Sequence, residues 1–322
     1  MKRRFSIALA LSALLVQGLG CAEDLTDDPA EPAAAADPAA AAQVASTQQA
    51  LTSTSFTDTH VNAYSWRYAG CGGVPRKLQG YEPTAAGKYP LFVYLAGIEA
   101  SYQASEATLA ASTMAARGFV AATVEYTNGL ADGTDCATHI ADKSRCAFDP
   151  ALPNGAIAKL CARAKADCSK GIVVLGHSLG GAVGLLARNV NPNVRAVATM
   201  STSAGECLKP ANRTLPASRH YAVAGYDDRA TNGPASLNNV TGLSCSTTAT
   251  QCPAGTFPAA GWLQVQNAQV TDAHADHCYM LSGGCPSSYA KTTTVDPRWA
   301  PPSRNAWSLV PTLEWLDRFV TH

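Results

Sequence analysis

Ser178 stands between two glycines in Leu175-Gly176-His177-Ser178-Leu179-Gly180-Gly181, with the β-branched run Ile172-Val173-Val174 before it and small residues at helical spacing after it. In a G-x-S-x-G turn from strand to helix the serine is held in a strained backbone conformation, and the flanking glycines let neighbouring backbone pass without a Cβ clash. The hydroxyl is thereby presented as a nucleophile. Free N–H groups at the start of the helix face any negative charge that forms beside it. A serine hydroxyl is a weak nucleophile at neutral pH, so the chemistry requires a base to take its proton and a carboxylate to orient the base. Candidates for both follow in the order Ser, Asp, His. Asp227 and Asp228 come after the apolar run ending at Gly225, and His274 and His277 lie within Asp272-Ala273-His274-Ala275-Asp276-His277. Glu206 is a weaker candidate acid. The bland alternative for the motif is a glycine-rich turn carrying an incidental serine.

The elements that must position these groups alternate. Phe56–Tyr68 and Arg76–Glu82 read as edge strands and Tyr89–Leu95 as a buried central strand; Ser105–Arg117 is a helix closed by Gly118, and Phe119–Tyr126 returns to strand. Thr127–Pro153 reads as a long loop, and Asn154 caps a helix to about Asp167. The strand into Ser178 is followed by a helix over Leu179–Val190 and a strand over Val194–Met200. Arg219–Gly225 and Trp262–Val270 are further strands. Asn305–Val320, with Leu309, Leu313, Leu316 and Phe319 on one face, makes a closing helix. Strand, helix, strand in succession predicts an α/β fold, a doubly wound, mostly parallel sheet with helices on both faces, and its reactive residues belong outside the carboxyl ends of the strands.

On these motifs the chain from about Phe56 to His322 resembles a secreted α/β-hydrolase of the lipase and esterase type. The resemblance implies that the acid follows its strand in a Gly-x-x-Asp turn, which selects Asp228 over Asp227, and that the base lies a few residues past the last strand, which favours His277 over His274. It also implies two backbone donors for the oxyanion: Leu179, the residue after the nucleophile, and a residue in the loop after Leu91–Leu95. That family commonly has His-Gly in this loop. Here Ala96-Gly97-Ile98 stands instead, and the Ile98 N–H is the expected second donor. Glu99 beside it has no evident role. His177 fills the variable slot of the elbow, and His60, His139, His220 and His322 read as surface or structural.

The string Asp272 to His277 also resembles the H-x-H-x-D-H motif of metallo-β-lactamase-like hydrolases with its first histidine replaced, but further ligands downstream are lacking except for His322. The expected site therefore contains neither metal nor cofactor. Eleven cysteines without any C-x-x-C point to disulfides in an oxidising compartment. Proximity in sequence pairs Cys136 with Cys146, Cys161 with Cys168, Cys245 with Cys252 and Cys278 with Cys285, leaving Cys71 with Cys207. A disulfide at Cys278 would also hold the neighbouring His277.

Residues 1–20 read as a secretory signal, with Lys2, Arg3 and Arg4 before an apolar run. Gly18-Leu19-Gly20-Cys21 resembles a bacterial lipobox, which implies a lipidated Cys21; Gly18 stands where leucine is usual, and free secretion after cleavage near Cys21 or Ala22 is the alternative. Residues 21–50, rich in Ala, Pro and acidic side chains, read as a flexible tether, leaving 51–322 as the catalytic domain. The 322 residues are 47% hydrophobic and 15% charged, enough to bury one sizeable core. The chain is balanced at 24 basic and 24 acidic residues, and three of the former and six of the latter lie in the leader and tether, so the domain carries +3. No basic stripe interleaved with aromatics is present, and nucleic acid is not an expected partner.

The expected function is hydrolysis of small-molecule, lipid or polymeric carboxylic esters by a monomer, secreted or anchored through Cys21. Acyl transfer or peptidase chemistry would use the same triad, and a binding module on an inactive hydrolase fold is the alternative of a different class. The segment from Ser203 to Ser218, between strands, is too short for a large helical cap, so the site is expected to be open, with the loops 127–153 and 229–260 shaping it.

Overall fold

The apolar run Leu91–Leu95 alternates strictly: Phe92 and Tyr94 face one core, Leu91, Val93 and Leu95 the other, and all five are buried. A strand buried on both faces belongs in the middle of a parallel sheet covered by helices on each side. In the computed structural model it is the third strand in chain order and the fourth across a nine-stranded sheet. The structure describes residues 50–322 except 62–63, 66–69, 73, 130–132, 204, 254, 256–257 and 282–294. The leader, Cys21 and nearly all of the tether lie outside the described residues.

In chain order the strands are β1 (Ser53–His60), β2 (Arg76–Pro83), β3 (Leu91–Leu95), β4 (Val120–Val124), β5 (Ile172–His177), β6 (Val194–Met200), β7 (His220–Gly225), β8 (Gln251–Cys252) and β9 (Gly261–Val265). They lie in the order β1-β2-β4-β3-β5-β6-β7-β9-β8. The six from β4 to β9 in that order are mutually parallel, β2 runs against β4, β1 against β2, and β8 against β9. Their carboxyl ends therefore share one edge of the sheet, and Ser178, Asp228 and the segment carrying His277 all leave from it.

The helices are α1 (Ser105–Ala116), α2 (Ala141–Phe148), α3 (Ala156–Cys161), α4 (Leu179–Leu186), α5 (Gly233–Thr241) and α6 (Leu309–Asp317). On one face Ala110 and Met114 of α1 and Leu313 and Leu316 of α6 pack on Phe92, Val173 and Leu175. On the other, Phe148 of α2, Leu160 of α3 and Val183 of α4 pack on Val93, Ile172 and Val174. A third cluster joins Leu237 of α5 to Ala222 and Ala224 of β7 and Trp262 of β9. Each fully buried large side chain contributes roughly 1.5–3 kcal/mol of transfer free energy. The α/β class, the mostly parallel sheet and the helices on both faces agree with the pattern read from sequence.

The differences are local. The stretch predicted as a loop over 127–153 holds a π-helical turn at Cys136–Ile140 running directly into α2, and the 229–260 loop holds α5 and β8. The helix predicted over 154–167 is α3 alone. β1 ends at His60, and beyond it Tyr64–Ser65 pairs with Gly70–Cys71. β9 stops at Val265, where Gln266 opens a 3₁₀ turn over Asn267–Gln269 through a reciprocal capping box with Gln269.

The disulfides Cys161–Cys168 and Cys245–Cys252 form as expected, but two others exchange partners: Cys71 bonds Cys146, and Cys136 bonds Cys207. The expected Cys136–Cys146 bridge assumed a flexible loop. Ten residues of continuous helical chain separate those cysteines by about 15 Å at 1.5 Å per residue, far beyond the roughly 7 Å a disulfide tolerates between Cα atoms. The observed pairs lie at Cα separations of 5.2 and 5.6 Å. Cys278 is also disulfide-bonded; its expected partner Cys285 lies outside the described residues. This set of bridges is that of an extracytoplasmic protein. Among the described residues no helix is long and apolar enough to cross a membrane.

Candidate active site

Ser178 sits at the junction of β5 and α4 with φ 52° and ψ −122°, a left-handed φ that costs a non-glycine residue of order 1–3 kcal/mol. The surroundings hold it there. Its N–H donates to the Met200 carbonyl at 2.8 Å, and its own carbonyl accepts from Thr202 Oγ1 at 3.1 Å, so the end of β6 braces the turn. A Cβ on Gly176 would fall 2.5 Å from the Gly180 backbone and one on Gly180 would fall 2.2 Å from the Leu95 carbonyl, which is why the motif needs glycine on both sides of the serine.

Two hydrogen bonds link the three sequence-predicted residues. His277 Nε2 lies 2.9 Å from Ser178 Oγ, and His277 Nδ1 lies 2.9 Å from Asp228 Oδ1. A carboxylate can only accept, so Nδ1 carries the proton and the Nε2 lone pair is left facing the serine hydroxyl. The Asp228 side chain is 0% exposed and that of His277 13%. Burial pushes the Asp228 carboxyl up. The hydrogen bond and charge of His277, the Thr231 N–H and the Ser201 hydroxyl outweigh it and leave the acid below its ordinary value. Asp228 Oδ1 also accepts from the Ala230 and Thr231 N–H groups at 2.9 and 3.2 Å. Asp228 Oδ2 and Ser201 Oγ are both buried without a hydrogen bond of full geometry, although the Ser201 hydroxyl still helps hold the acid low.

Asp228 and His277 meet because Gly225, at the end of β7, has no side chain. A Cβ there would stand 2.0 Å from the Ala275 carbonyl. The Asp227 N–H donates to that same carbonyl at 2.8 Å, clamping the base-bearing segment to the acid turn. Asp227 and His274 are placed apart from the serine: Asp227 Oδ2 accepts from Asn267 Nδ2 at 2.9 Å and lies 3.6 Å from His274 Nδ1. Glu206 is exposed and pairs with Lys209. The string that could have been a metal motif is divided among three tasks, since Asp276 accepts from the Cys278 N–H while His274 and His277 face different carboxylates. Among the described residues no three His, Cys, Asp or Glu side chains converge as a metal site.

The loop after β3 comes close to the serine: a Cβ on Gly97 would lie 3.1 Å from Ser178 Cβ and 2.7 Å from His177 Nδ1. Its carbonyls are tied back. Tyr126 Oη donates to the Ala96 carbonyl at 2.7 Å, and Asn128 Nδ2 donates to those of Gly97 and Ala100 at 2.6 and 2.9 Å. In a trans peptide the C=O and N–H point in opposite directions, so a Gly97 carbonyl held by Asn128 turns the Ile98 N–H the other way. Among the described residues that N–H makes no hydrogen bond. The Leu179 N–H opens α4 and has no intrahelical acceptor. Both candidate oxyanion donors are thus uncommitted. Glu99, at φ 56°, donates its N–H to the Asn128 carbonyl and keeps the turn closed.

His177 does more than fill the variable slot. Its Nε2 donates to the His277 carbonyl at 2.9 Å and its ring lies against that of His277 at 5.0 Å between centroids. Burial, with the charge of His277 adding to it, lowers its pKa to about 3, so it is a neutral brace at every ordinary pH. His60 and His220 are buried structural groups, bonded to the Glu125 carbonyl and to Thr199 and Arg213, while His139 packs on Tyr64 and His322 pairs with Asp317. The roles of His177, Asn128 and Ser201 were not visible in sequence, because a lone histidine, asparagine or serine at a strand end carries no pattern. No family model and no curated protein significantly matches the chain.

Proposed function

We propose that the protein is a serine hydrolase of the α/β-hydrolase type that cleaves carboxylic esters. The observation that carries this reading is the continuous relay from Asp228 through His277 to Ser178, two hydrogen bonds of 2.9 Å ending on a serine at positive φ. In the reaction His277 Nε2 takes the Ser178 proton as Oγ adds to the ester carbonyl, and Asp228 stabilises the imidazolium that forms. The Ile98 and Leu179 N–H groups hold the oxyanion. Collapse expels the alcohol, which leaves with the proton from His277, and an acyl-serine remains. Water, deprotonated by His277, then releases the acid and restores the serine. No cofactor enters any of these steps.

Esters are favoured over a purely binding role because Ser178 is half-buried and reachable, its base is in hydrogen-bonding contact, and the oxyanion donors have no competing acceptor. The leader, the Cys21 motif and the disulfides fit an enzyme released from the cell or held at its envelope by a lipid. The deciding experiment is labelling by a fluorophosphonate together with hydrolysis of p-nitrophenyl acetate. Wild type should react with both and Ser178→Ala with neither; an unreactive wild type would support the binding module, and full hydrolysis by Ser178→Ala would remove the serine mechanism. Preference for an amide substrate or for a second alcohol over water would move the same triad to peptidase or acyltransferase chemistry.

A further inference from the structure

A cavity of about 650 Å³ opens at the carboxyl edge of the sheet between the ends of β7 and β9, the start of α5 and the segment before β8. Asp228 forms part of its wall, while the same residue's Oδ1 faces His277. Strands lie about 4.8 Å apart, so β7 is about 10 Å from β5 and the cavity begins roughly that far from Ser178 along the edge. Its volume falls in the range of about 300–1,000 Å³ usual for small-molecule sites.

The lining does not suit an acyl chain, which would require a mostly apolar wall. It consists largely of neutral groups that both donate and accept, Asn232, Thr248, Gln264 and Gln266 among them, with the opposite charges of Asp227 and Arg229 at the side. Gln264 lines the cavity at 6% exposed, and its main-chain carbonyl and Oε1 accept from Gln266 Nε2 at 3.2 and 3.5 Å, so the two amides are ordered together at the wall. Tyr226, 58% exposed, is one of only two exposed large hydrophobic side chains among the described residues, and it stands at this cavity. An aromatic face beside paired amides, hydroxyls and a carboxylate matches a ring that has C–H faces and a rim of hydroxyls. The carboxylate of Asp227 accepts from such hydroxyls, and the guanidinium of Arg229 on the same wall donates to them.

We infer that this cavity is a carbohydrate subsite, and that the esters cleaved at Ser178 are acyl groups carried on a glycan. The inference rests on the esterase reading for its second half only. The sugar is the alcohol part: Oγ adds to the acyl carbonyl, the sugar C–O bond to that carbonyl breaks, and the sugar hydroxyl leaves with the proton from His277.

The test separates binding from catalysis. Titration calorimetry of xylotriose, maltotriose and chitotriose into the full wild-type protein should give saturable binding for at least one of them, and Tyr226→Ala and Gln264→Leu should each weaken it about five- to tenfold, the worth of one aromatic or hydrogen-bonding contact. Thermal melting controls for folding of the Gln264→Leu protein, and the exposed Tyr226 provides a variant whose fold is not at stake. With the acetylated form of the trisaccharide that binds, the same variants should raise KM relative to that for p-nitrophenyl acetate by a similar factor. Absence of saturable binding by all three glycans at millimolar concentration overturns the subsite, as does binding that Tyr226→Ala and Gln264→Leu leave unchanged. Glycan binding in a protein that never hydrolyses an ester would keep the subsite and refute the esterase reading instead.

Discussion

Replacing Asn128 with alanine tests the proposed oxyanion donor at Ile98. Asn128 touches neither Ser178 nor His277 in the structure; its Nδ2 bonds the Gly97 and Ala100 carbonyls at 2.6 and 2.9 Å. Removing it leaves the Gly97 carbonyl held by the Ala100 N–H alone, at 3.3 Å, and so loosens the Gly97–Ile98 peptide and with it the Ile98 N–H. Outright loss of one oxyanion donor costs about 10²–10³ in kcat. Tyr126 still restrains the loop through the Ala96 carbonyl, so the expected loss is smaller, about 10- to 100-fold in kcat, or about 1.4–2.7 kcal/mol of transition-state stabilisation. Two lost hydrogen bonds also predict about 1–3 kcal/mol of lower stability. The assay is steady-state hydrolysis of p-nitrophenyl acetate alongside inhibition by a trifluoromethyl ketone, which forms a tetrahedral oxyanion on the serine. Affinity for the ketone should fall in parallel with kcat while KM changes less than about twofold. Asn128→Asp, similar in shape but unable to donate as a carboxylate, should lose at least as much. A lower melting temperature with kcat intact, or a loss confined to KM, would refute the reasoning, since either would make Asn128 a structural tie with no influence on the donor.

Three further outcomes are expected. His177 has its folded-state pKa depressed to about 3 from 6.5, chiefly by burial, so the unfolded chain takes up a proton that the folded protein refuses; stability should be full above about pH 6.5 and fall progressively toward pH 3, by about 4–5 kcal/mol from this residue. His220, also pushed down by burial, adds in the same direction, and in thermal melts His177→Gln should flatten the acid limb. Non-reducing peptide maps should recover Cys71 with Cys146 and Cys136 with Cys207. Opening the former by paired serine substitution should cost about 2–5 kcal/mol, because that bridge closes a separation of 75 residues. If Cys21 is the lipid attachment site, Cys21→Ser should shift the enzyme from the membrane fraction to the medium and abolish palmitate labelling, without altering hydrolysis of a soluble ester.

Much of the site was legible because it rests on short-range chemistry. The elbow is encoded locally: Gly176, Ser178 and Gly180 lie within one turn, and the β-branched run before them can only be a strand. The alternating burial of Leu91–Leu95 and the strand-helix succession were sufficient for the α/β class. Asp227 against Asp228, and His274 against His277, were different: adjacent or near-adjacent residues of one type carry no sign of their own of which way each points, and the choice of Asp228 and His277 came from the family resemblance. Their separation came from backbone contacts between segments some 50 residues apart, above all the absent side chain at Gly225 that lets the Ala275 carbonyl approach. The disulfides divide the same way. Cys161–Cys168 and Cys245–Cys252 span short gaps that proximity predicts, whereas Cys136 and Cys146 are held apart by a helix whose polar sequence, ADKSRCAF, carries a weak apolar face and is stabilised by packing Phe148 into the core. Sequence by itself therefore determined the candidate nucleophile, the central succession of strands and helices and the oxidising environment, all of which are properties of local pattern and composition, while α2, α5 and β8 lay hidden in stretches read as loops. Tertiary structure alone decided which cysteines pair across the fold, that His177 and Asn128 brace the candidate site, and that a polar cavity shares a wall with Asp228. Those depend on distances between chain segments, which are set by how the sheet and its loops pack.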